Sequence, residues 1–352
     1  MKPTGIVRDD VYLRHDMGRY HPENPRRLEV IYEVVDRLRD KLNLVEIPVR
    51  SATIEEISRN HSSRYIEKIA ATSGKRSTYL DPDTSTSADS WDAACKAVGG
   101  LLNLVDAVVR GEVRNGFGLV RPPGHHAEWD RAMGFCLFNN VALAARHALA
   151  EHGMERVAIV DWDLHHGNGT QHSFYDDPRV LYISTHQFPH YPGTGSIRET
   201  GKGEGEGYTI NVPLGPGAGD EEFVAIVQSV VAPVLKSYQP EFIFLSAGFD
   251  AHQRDPLGAL GITEQGYGEM LKILMDTAGE VCSERLILAL EGGYDLDALG
   301  SSVGVVLATL ALYNGDEATR GAISSEEDLH PRARRMLLEL RSSLAKYWPA
   351  LE

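Results

Sequence analysis

The chain has 352 residues, of which 42% are hydrophobic: enough for one large α/β domain or two smaller ones with a substantial core. A formal net charge of −15 disfavours sequence-independent binding to nucleic acid or to an anionic membrane surface and favours cationic ligands. Cys95, Cys136 and Cys282 are far apart and lack CxxC spacing, which argues against a disulfide framework or a structural zinc cluster; with no signal-like or membrane-length apolar run, the expected setting is reducing cytoplasm.

Residues 5–11 read as a short first strand, and the proline-punctuated loop 21–28 runs into an amphipathic helix through Leu28, Ile31, Val34, Val35 and Leu38. Thr53 and Glu56 have capping-box spacing at the start of another helix, and Tyr65, Ile69 and Ala70 mark one more before the Gly74 break. A turn-rich loop at 80–87 precedes an Ala/Val/Leu-rich helix over 88–110.

Strands and helices then alternate. Strands are expected at 117–120, 157–160, 180–184, 208–214, 242–248 and 286–293, with helices at 139–152, 220–236 and 263–282 between them. Continuous rather than alternating apolar strands, separated by helices, imply a mainly parallel sheet covered on both faces. The expectation is a single doubly wound α/β domain of about eight strands over 1–315, with 316–352 a helical extension of it. A charged helix at 324–347 packs either on the domain or on a second copy in a homo-oligomer. The Gly/Glu-rich loop 201–207 lacks the patterns of a phosphate cradle.

The chemistry centres on VAIVDWDLHHGNG, residues 157–169. If the backbone stays extended past Val160, Asp161, Asp163 and His165 share one face, and Trp162 and Leu164 the other. Two carboxylates and an imidazole at the end of a buried strand are costly unless a positive charge sits among them. A zinc ion with two Asp and one His would be charge-neutral and keep a position open for water. The plainer alternative is a solvated strand end and a turn. Other polar residues also follow apolar strands: His125 and His126, Asp250, and Glu291 with Tyr294. Ligands of open parallel sheets bind beyond these carboxyl ends.

Six stretches, RPPGHHAE (121–128), GFCLFNN (134–140), DWDLHHGNGTQ (161–171), PGTG (192–195), SAGFDAH (246–252) and EGGYD (291–295), resemble in order the signature series of the zinc-dependent histone deacetylase family. Trp162 and Asn168 resemble its class II branch, where class I has an Asp in place of Asn168. The resemblance implies an arginase/deacetylase-like fold, zinc (ferrous iron being the alternative) on Asp163, His165 and Asp250, and His125 and His126 flanking its water. It also implies that Tyr294 faces the metal across the substrate carbonyl. His125 is expected to be backed by Asp161 and His126 by Asn168; a carboxylate partner favours imidazolium and a carboxamide far less, which makes His126 the base. By the same resemblance Phe135 and Tyr191 wall a tunnel, although ordinary aromatic core is an equal reading of Tyr191. Gly134 offers its carbonyl to the substrate amide, and Arg27 lines the acetate exit. A structural potassium is implied at Asp161, Asp163, His165, Ser184 and Thr185, and a second near Phe174, Asp177, Val180 and Tyr208.

The implied substrate is the acetylated lysine side chain of a protein or peptide, or a small acetylated amine such as a polyamine. Leu257 sits where polyamine-selective relatives place an acid, and so leans toward acyl-lysine. Asp81 and Asp83 read as solvated turn acids rather than rim contacts, and His61, His147, His152 and His172 as satisfied core or loop histidines. A silent acyl-lysine binder would have lost a ligand or Tyr294, and a ureohydrolase of the arginase fold would need further Asp ligands; neither pattern is present.

Overall fold

A computed structural model describes residues 2–315 and 326–352. In chain order the strands are β1 (Thr4–Val7), β2 (Leu44–Glu46), β3 (Thr78–Tyr79), β4 (Ser85–Thr86), β5 (Asn115–Gly118), β6 (Val157–Asp161), β7 (Val180–Gln187), β8 (Thr209–Leu214), β9 (Ile243–Ala247) and β10 (Leu286–Leu290). The helices are α1 (Arg26–Leu38), α2 (Ile54–Ser58), α3 (Ser63–Ala70), α4 (Ser90–Val109), α5 (Asn140–Glu151), α6 (Asn168–Phe174), α7 (Asp220–Ile226), α8 (Ala232–Tyr238), α9 (Glu264–Cys282), α10 (Leu296–Leu312) and α11 (Pro331–Leu344).

Eight strands form one sheet in the order β2-β1-β5-β10-β9-β6-β7-β8, all parallel. Every residue of β6, β9 and β10 is buried, because helices cover both faces and leave no solvent side to impose alternation. This is the expected doubly wound α/β domain. With all strands parallel, the carboxyl ends of β5, β10, β9 and β6 lie side by side on one rim.

Local chemistry sets the ends of several elements. Thr53 and Glu56 complete their capping box, and the Thr263 side chain caps α9. The first strand stops at Val7, where the Asp9 carboxylate accepts from Val11 N and starts a short 3-10 turn, Asp10–Arg14. The edge strand β2, unforeseen in the sequence, has only Leu44 buried, too little apolar pattern to stand out. Within the expected 80–87 loop, Ser85 and Thr86 pair antiparallel with Tyr79 and Thr78 just before it as the β3/β4 hairpin. The expected 220–236 helix is continuous from α7 to α8 but widens into a π turn, Val227–Val231, just before Pro233. A proline ring inside a helix clashes with the carbonyl four residues back, and the wider turn relieves that clash.

Of the expected 324–347 helix, residues 324–325 lie outside the described residues, and Glu326–Asp328 form a separate 3-10 turn before the α-helix begins at Pro331. Its remainder, α11, packs Ala333, Leu337, Leu340 and Leu344 on α7 and the π turn, and the Trp348 indole then donates to Gly207 O at 3.0 Å. The covering is intramolecular.

Two helical glycines test this packing with opposite signs. A Cβ on Gly99 in α4 would lie 2.2 Å from Arg50 O, whereas one on Gly279 in α9 would meet nothing within 4 Å. Helix propensity favours alanine over glycine by about 1 kcal/mol, and forcing backbone apart costs about 1–3 kcal/mol. Urea unfolding should therefore show Gly99→Ala destabilised and Gly279→Ala stabilised by roughly 0.5–1 kcal/mol.

Candidate active site

Strand β6 ends at Asp161, so an extended backbone does not bring Asp163 and His165 to the same face. Two successive side-chain turns do so instead: Asp161 Oδ1 accepts from Asp163 N at 3.1 Å, and Asp163 Oδ1 from His165 N at 2.8 Å. Trp162 is thrown into the core beside Phe249 and Tyr267, with ring centroids at 6.5 and 5.6 Å. From β9, Asp250 accepts from Leu164 N at 2.9 Å, which pins the same segment from the other side. As a result His165 Nδ1 lies 3.2 Å from Asp163 Oδ1 and 3.0 Å from Asp250 Oδ2.

The three donors fit a divalent cation with N and O ligands. Asp163 and Asp250 are buried, and glycines make room for them: a Cβ on Gly248 would lie 2.0 Å from Asp163 Oδ2, and one on Gly292 2.2 Å from Asp250 Oδ2. Burial and the neighbouring charge of Asp163 raise the Asp250 carboxyl; Asp163, although burial works against it, is held well below the usual carboxylate range by His125 and His165. Burial opposes charge on His165, yet its hydrogen bonds to Asp163 and Asp250 push it up to about 10. The pocket between these acids demands positive charge.

A second group, Asp106, His147 and His152, has donors of the same types. Its geometry differs: both imidazole Nε2 atoms meet one oxygen, Asp106 Oδ1, at 2.7 and 2.8 Å, ordinary N–H···O distances. We read it as a clamp joining α4 to α5, in keeping with the structural role expected of these two histidines.

The adjacent histidines of the β5 loop stand with ring centroids 4.0 Å apart but have different partners. His125 Nδ1 is 3.1 Å from Asp161 Oδ2, whereas His126 Nδ1 is 2.7 Å from Asn168 Oδ1. Burial disfavours charge on His125, but Asp163 and Asp161 override it and push the ring up to about 10. Burial, reinforced by the charges of His125 and His165, holds His126 well below the ordinary imidazole value. Gly134 packs on His126 at φ +55°, and a Cβ there would come within 2.2 Å of the ring.

Tyr294 arrives from the β10 loop. Burial raises its phenol well above the ordinary value, so it stays protonated. Arg27 is buried behind that loop: Nε donates to Gly293 O at 2.7 Å, Nη2 to Glu291 O at 2.5 Å and Nη1 to Glu23 at 3.0 Å, and its guanidinium lies 5.0 Å from the Tyr294 ring centroid. In front, Asp255 accepts from Tyr294 N at 2.6 Å and Leu257 N at 3.0 Å.

A cavity of about 250 Å³ opens over these groups, lined by His125, His126, His165 and Tyr294 at its base and by Phe135, Tyr191 and Leu257 higher up. Phe135 meets Tyr294 edge to face at 5.8 Å, and Tyr191 meets His126 at 5.2 Å. Tyr191 is 36% exposed, which removes the core reading. Phe135 adopts φ +69°, a strained conformation for a non-glycine residue, held by Phe135 N donating to Thr84 Oγ1 at 2.9 Å. Asp83 also lines the cavity, contrary to its reading as a merely solvated turn acid, while Asp81 caps its own turn.

Below the floor, Thr185 Oγ1 donates to Asp161 O at 3.3 Å and Ser184 Oγ contacts His186 Nδ1 at 2.9 Å. Phe174, Asp177 and Val180 follow one another in turns, Asp177 N bonding Phe174 O and Val180 N bonding Asp177 O, while Tyr208 O accepts from Tyr182 N. The Asp177 carboxylate is held by Arg179 at 2.9 and 2.7 Å. His61 is a satisfied core residue, bonded to Glu128 O and Asn139 N. His172 is likewise satisfied, its Nδ1 meeting the Glu128 carboxylate at 2.9 Å. Sequence reasoning passed over Glu23, Arg121, Glu128 and Asp255. Glu23 receives both Arg27 and Arg121, and the only sequence hint was an acid four residues before an arginine in a proline-rich loop.

The model of the histone deacetylase domain matches residues 21–310. A probable deacetylase of Archaeoglobus fulgidus is 40% identical over 312 residues, covering 87% of this chain and 86% of that protein. Histone deacetylase 5 of Arabidopsis thaliana is 38% identical over 99% of this chain, which spans only 54% of that protein's length. The crystal structure of the HDA15 HD domain superposes with a TM-score of 0.91 at 37% identity, covering 99% of this chain and 96% of that one. The chain belongs to the histone deacetylase family.

The donor geometry predicts one tightly held divalent ion per chain. Metal analysis after dialysis should find about one equivalent of zinc in the wild type and in His147→Ala, and a loss of it in Asp250→Ala. At free zinc a thousandfold above Kd, the ion should add about 4 kcal/mol to wild-type stability. A second equivalent lost on His147→Ala would instead make the Asp106 clamp a metal site.

Proposed function

We propose that this chain is a zinc-dependent deacetylase that hydrolyses the amide of an acetylated lysine side chain. The observation that carries the reading is the convergence of His125, His126, Tyr294 and a three-donor cation site on one cavity. Held by Asp163, His165 and Asp250, zinc would supply Lewis acidity toward the acetyl carbonyl and lower the pKa of the attacking water. Ferrous iron suits the same donor set.

The chain's own residues supply the rest. Phe135 and Tyr191 enclose the aliphatic stem of the lysine and exclude water, and Gly134 O accepts from the substrate amide. His126 is neutral, and with Nδ1 turned to Asn168 its Nε2 is free to take a proton from water and return it to the departing amine. His125, paired with Asp161, keeps its proton and acts by its charge. Tyr294 donates to the carbonyl oxygen as negative charge develops there, a contribution of about 3–4 kcal/mol, or 10²–10³ in rate. Arg27, whose donors are engaged by Glu23 and two backbone carbonyls, steadies the Tyr294 loop from the side of the acetate exit. Potassium at Asp161, Asp163, His165, Ser184 and Thr185, and at Phe174, Asp177, Val180 and Tyr208, completes the reading as a structural ion.

Leu257 at the cavity wall supports acetyl-lysine over an acetylated polyamine, because no acid stands there to read a second amine. Asp83 favours the second reading, since it brings a carboxylate to the cavity lining. Parallel turnover of an acetyl-lysine peptide and an N-acetylated polyamine decides between them. The peptide should be preferred, activity should vanish on chelation and return with zinc, and Leu257→Glu should move preference toward the polyamine. Tyr294→Phe should lower kcat by about 10²–10³ with little change in KM. Zinc-loaded protein that turns over neither compound would overturn the proposal.

A further inference from the structure

Four side chains form a continuous line from the cavity base to the surface. His126 Nδ1 is 2.7 Å from Asn168 Oδ1, Asn168 Nδ2 donates to Glu128 Oε1 at 2.5 Å, and His172 Nδ1 approaches the two Glu128 oxygens at 2.9 and 3.0 Å. The first three residues are buried, and His172 is half exposed. We propose that Glu128 is a positioning residue for catalysis, fixing His126 as the Nδ1–H tautomer through the side-chain amide of Asn168. This rests on the reading of His126 as the base.

The argument is one of donors and acceptors. A carboxamide is ambivalent, and its two ends can exchange places at little cost in shape. Were Asn168 turned round, its NH₂ would face His126 Nδ1, the ring proton would move to Nε2, and the nitrogen facing the cavity could no longer accept one. An ionised carboxylate is not ambivalent, because it only accepts. With Glu128 at one end, Asn168 must present NH₂ to it and oxygen to His126. The other neighbours of Nδ2, His126 O at 3.4 Å and Met133 Sδ at 3.5 Å, are also acceptors. Glu128 is itself held: its backbone N bonds Arg131 O at 2.9 Å, its carbonyl meets His61 Nδ1 at 2.9 Å, and His172 covers both carboxylate oxygens.

The arrangement explains why a carboxamide serves where His125 has a carboxylate. Asp161 sets the His125 tautomer and stabilises its charge in one contact. Moving the carboxylate one residue further away keeps control of the tautomer and withholds the direct charge, so the ring stays neutral and fit to accept a proton.

Two variants and two readouts test this. In metal-free protein, long-range ¹H–¹⁵N spectra of the imidazoles should show His126 as Nδ1–H in the wild type and a substantial Nε2–H population in Glu128→Ala. In zinc-loaded protein Glu128→Ala should lower kcat about tenfold with KM within about twofold. Adding Asn168→Asp to Glu128→Ala restores an acceptor-only partner; the double variant should regain the Nδ1–H tautomer and most of kcat, with its acidic limb displaced to higher pH. A merely structural Glu128 would not be rescued by a change at Asn168. The inference falls if His126 keeps its tautomer in Glu128→Ala, or if the double variant is no better than the single. A wild type that hydrolyses no acetyl amide would defeat the role of His126 as base, and with it the catalytic half of the inference, while the spectra would still decide the tautomer.

Discussion

Asp161, Asp163, Asp250 and Glu291 are buried together where β6, β9 and β10 end, and this crowding of acids governs the rest of the site. Removing an ion from water costs several kcal/mol even after relaxation, so four carboxylates cannot share a dry rim unaided. Some relief comes from backbone amides: Asp163 N on Asp161, Leu164 N on Asp250, Gly292 N on Asp163, and Gly124 N with His125 N on Glu291. More comes from protons, since His125 and His165 are driven to their charged forms and burial pushes Glu291 up to about 7. The proton that His165 takes up answers the need for positive charge among Asp163, His165 and Asp250, and a cation held there would take that proton's place. The glycines at 248 and 292 leave these carboxylates the space to meet it.

That same field explains how two neighbouring histidines divide their labour. His125 and His126 are equally buried, so desolvation pushes both toward neutrality. His125 faces Asp161 and Asp163, and the attraction exceeds the burial cost. His126 sees the positive charge of His125 and His165 and has a carboxamide for a partner, so burial prevails. Adjacent and equally buried, the two rings are thus pushed in different directions by the charges around them.

Much of the fold and of the site floor could be read from the chain because both are encoded locally. Buried parallel strands appear as unbroken apolar runs, and polar residues directly after them must lie on the carboxyl rim. An extended strand does not bring Asp163 and His165 together: the strand stops at Asp161, backbone-to-carboxylate hydrogen bonds do the gathering, and Asp161 itself turns to His125. Glu128, Asp255 and Glu23 are opaque in the sequence because the partners that give them their roles at the site lie far along the chain. Asn168 lies 40 positions from Glu128, and Arg121 98 from Glu23. A charged residue in a loop reads as solvated until its partner is known.

The floor and the mouth of the cavity are held very differently, and this decides which features of function a sequence discloses. At the floor each group has several anchors: Arg27 uses three donors on Glu23, Gly293 and Glu291, and Glu23 in turn binds Arg121, which also grips Tyr12 O and His15 O at 2.7 and 3.0 Å. Change at any one of these groups strands a buried charge or donor, at a cost of several kcal/mol. At the mouth, Leu257 is fixed mainly through its backbone, by Asp255 and by His190 at 3.0 Å, and Tyr191 is one-third exposed. Their side chains can be exchanged without disturbing the charge balance below. The reaction class is thus written into an interdependent network, and substrate choice into side chains that the network does not constrain.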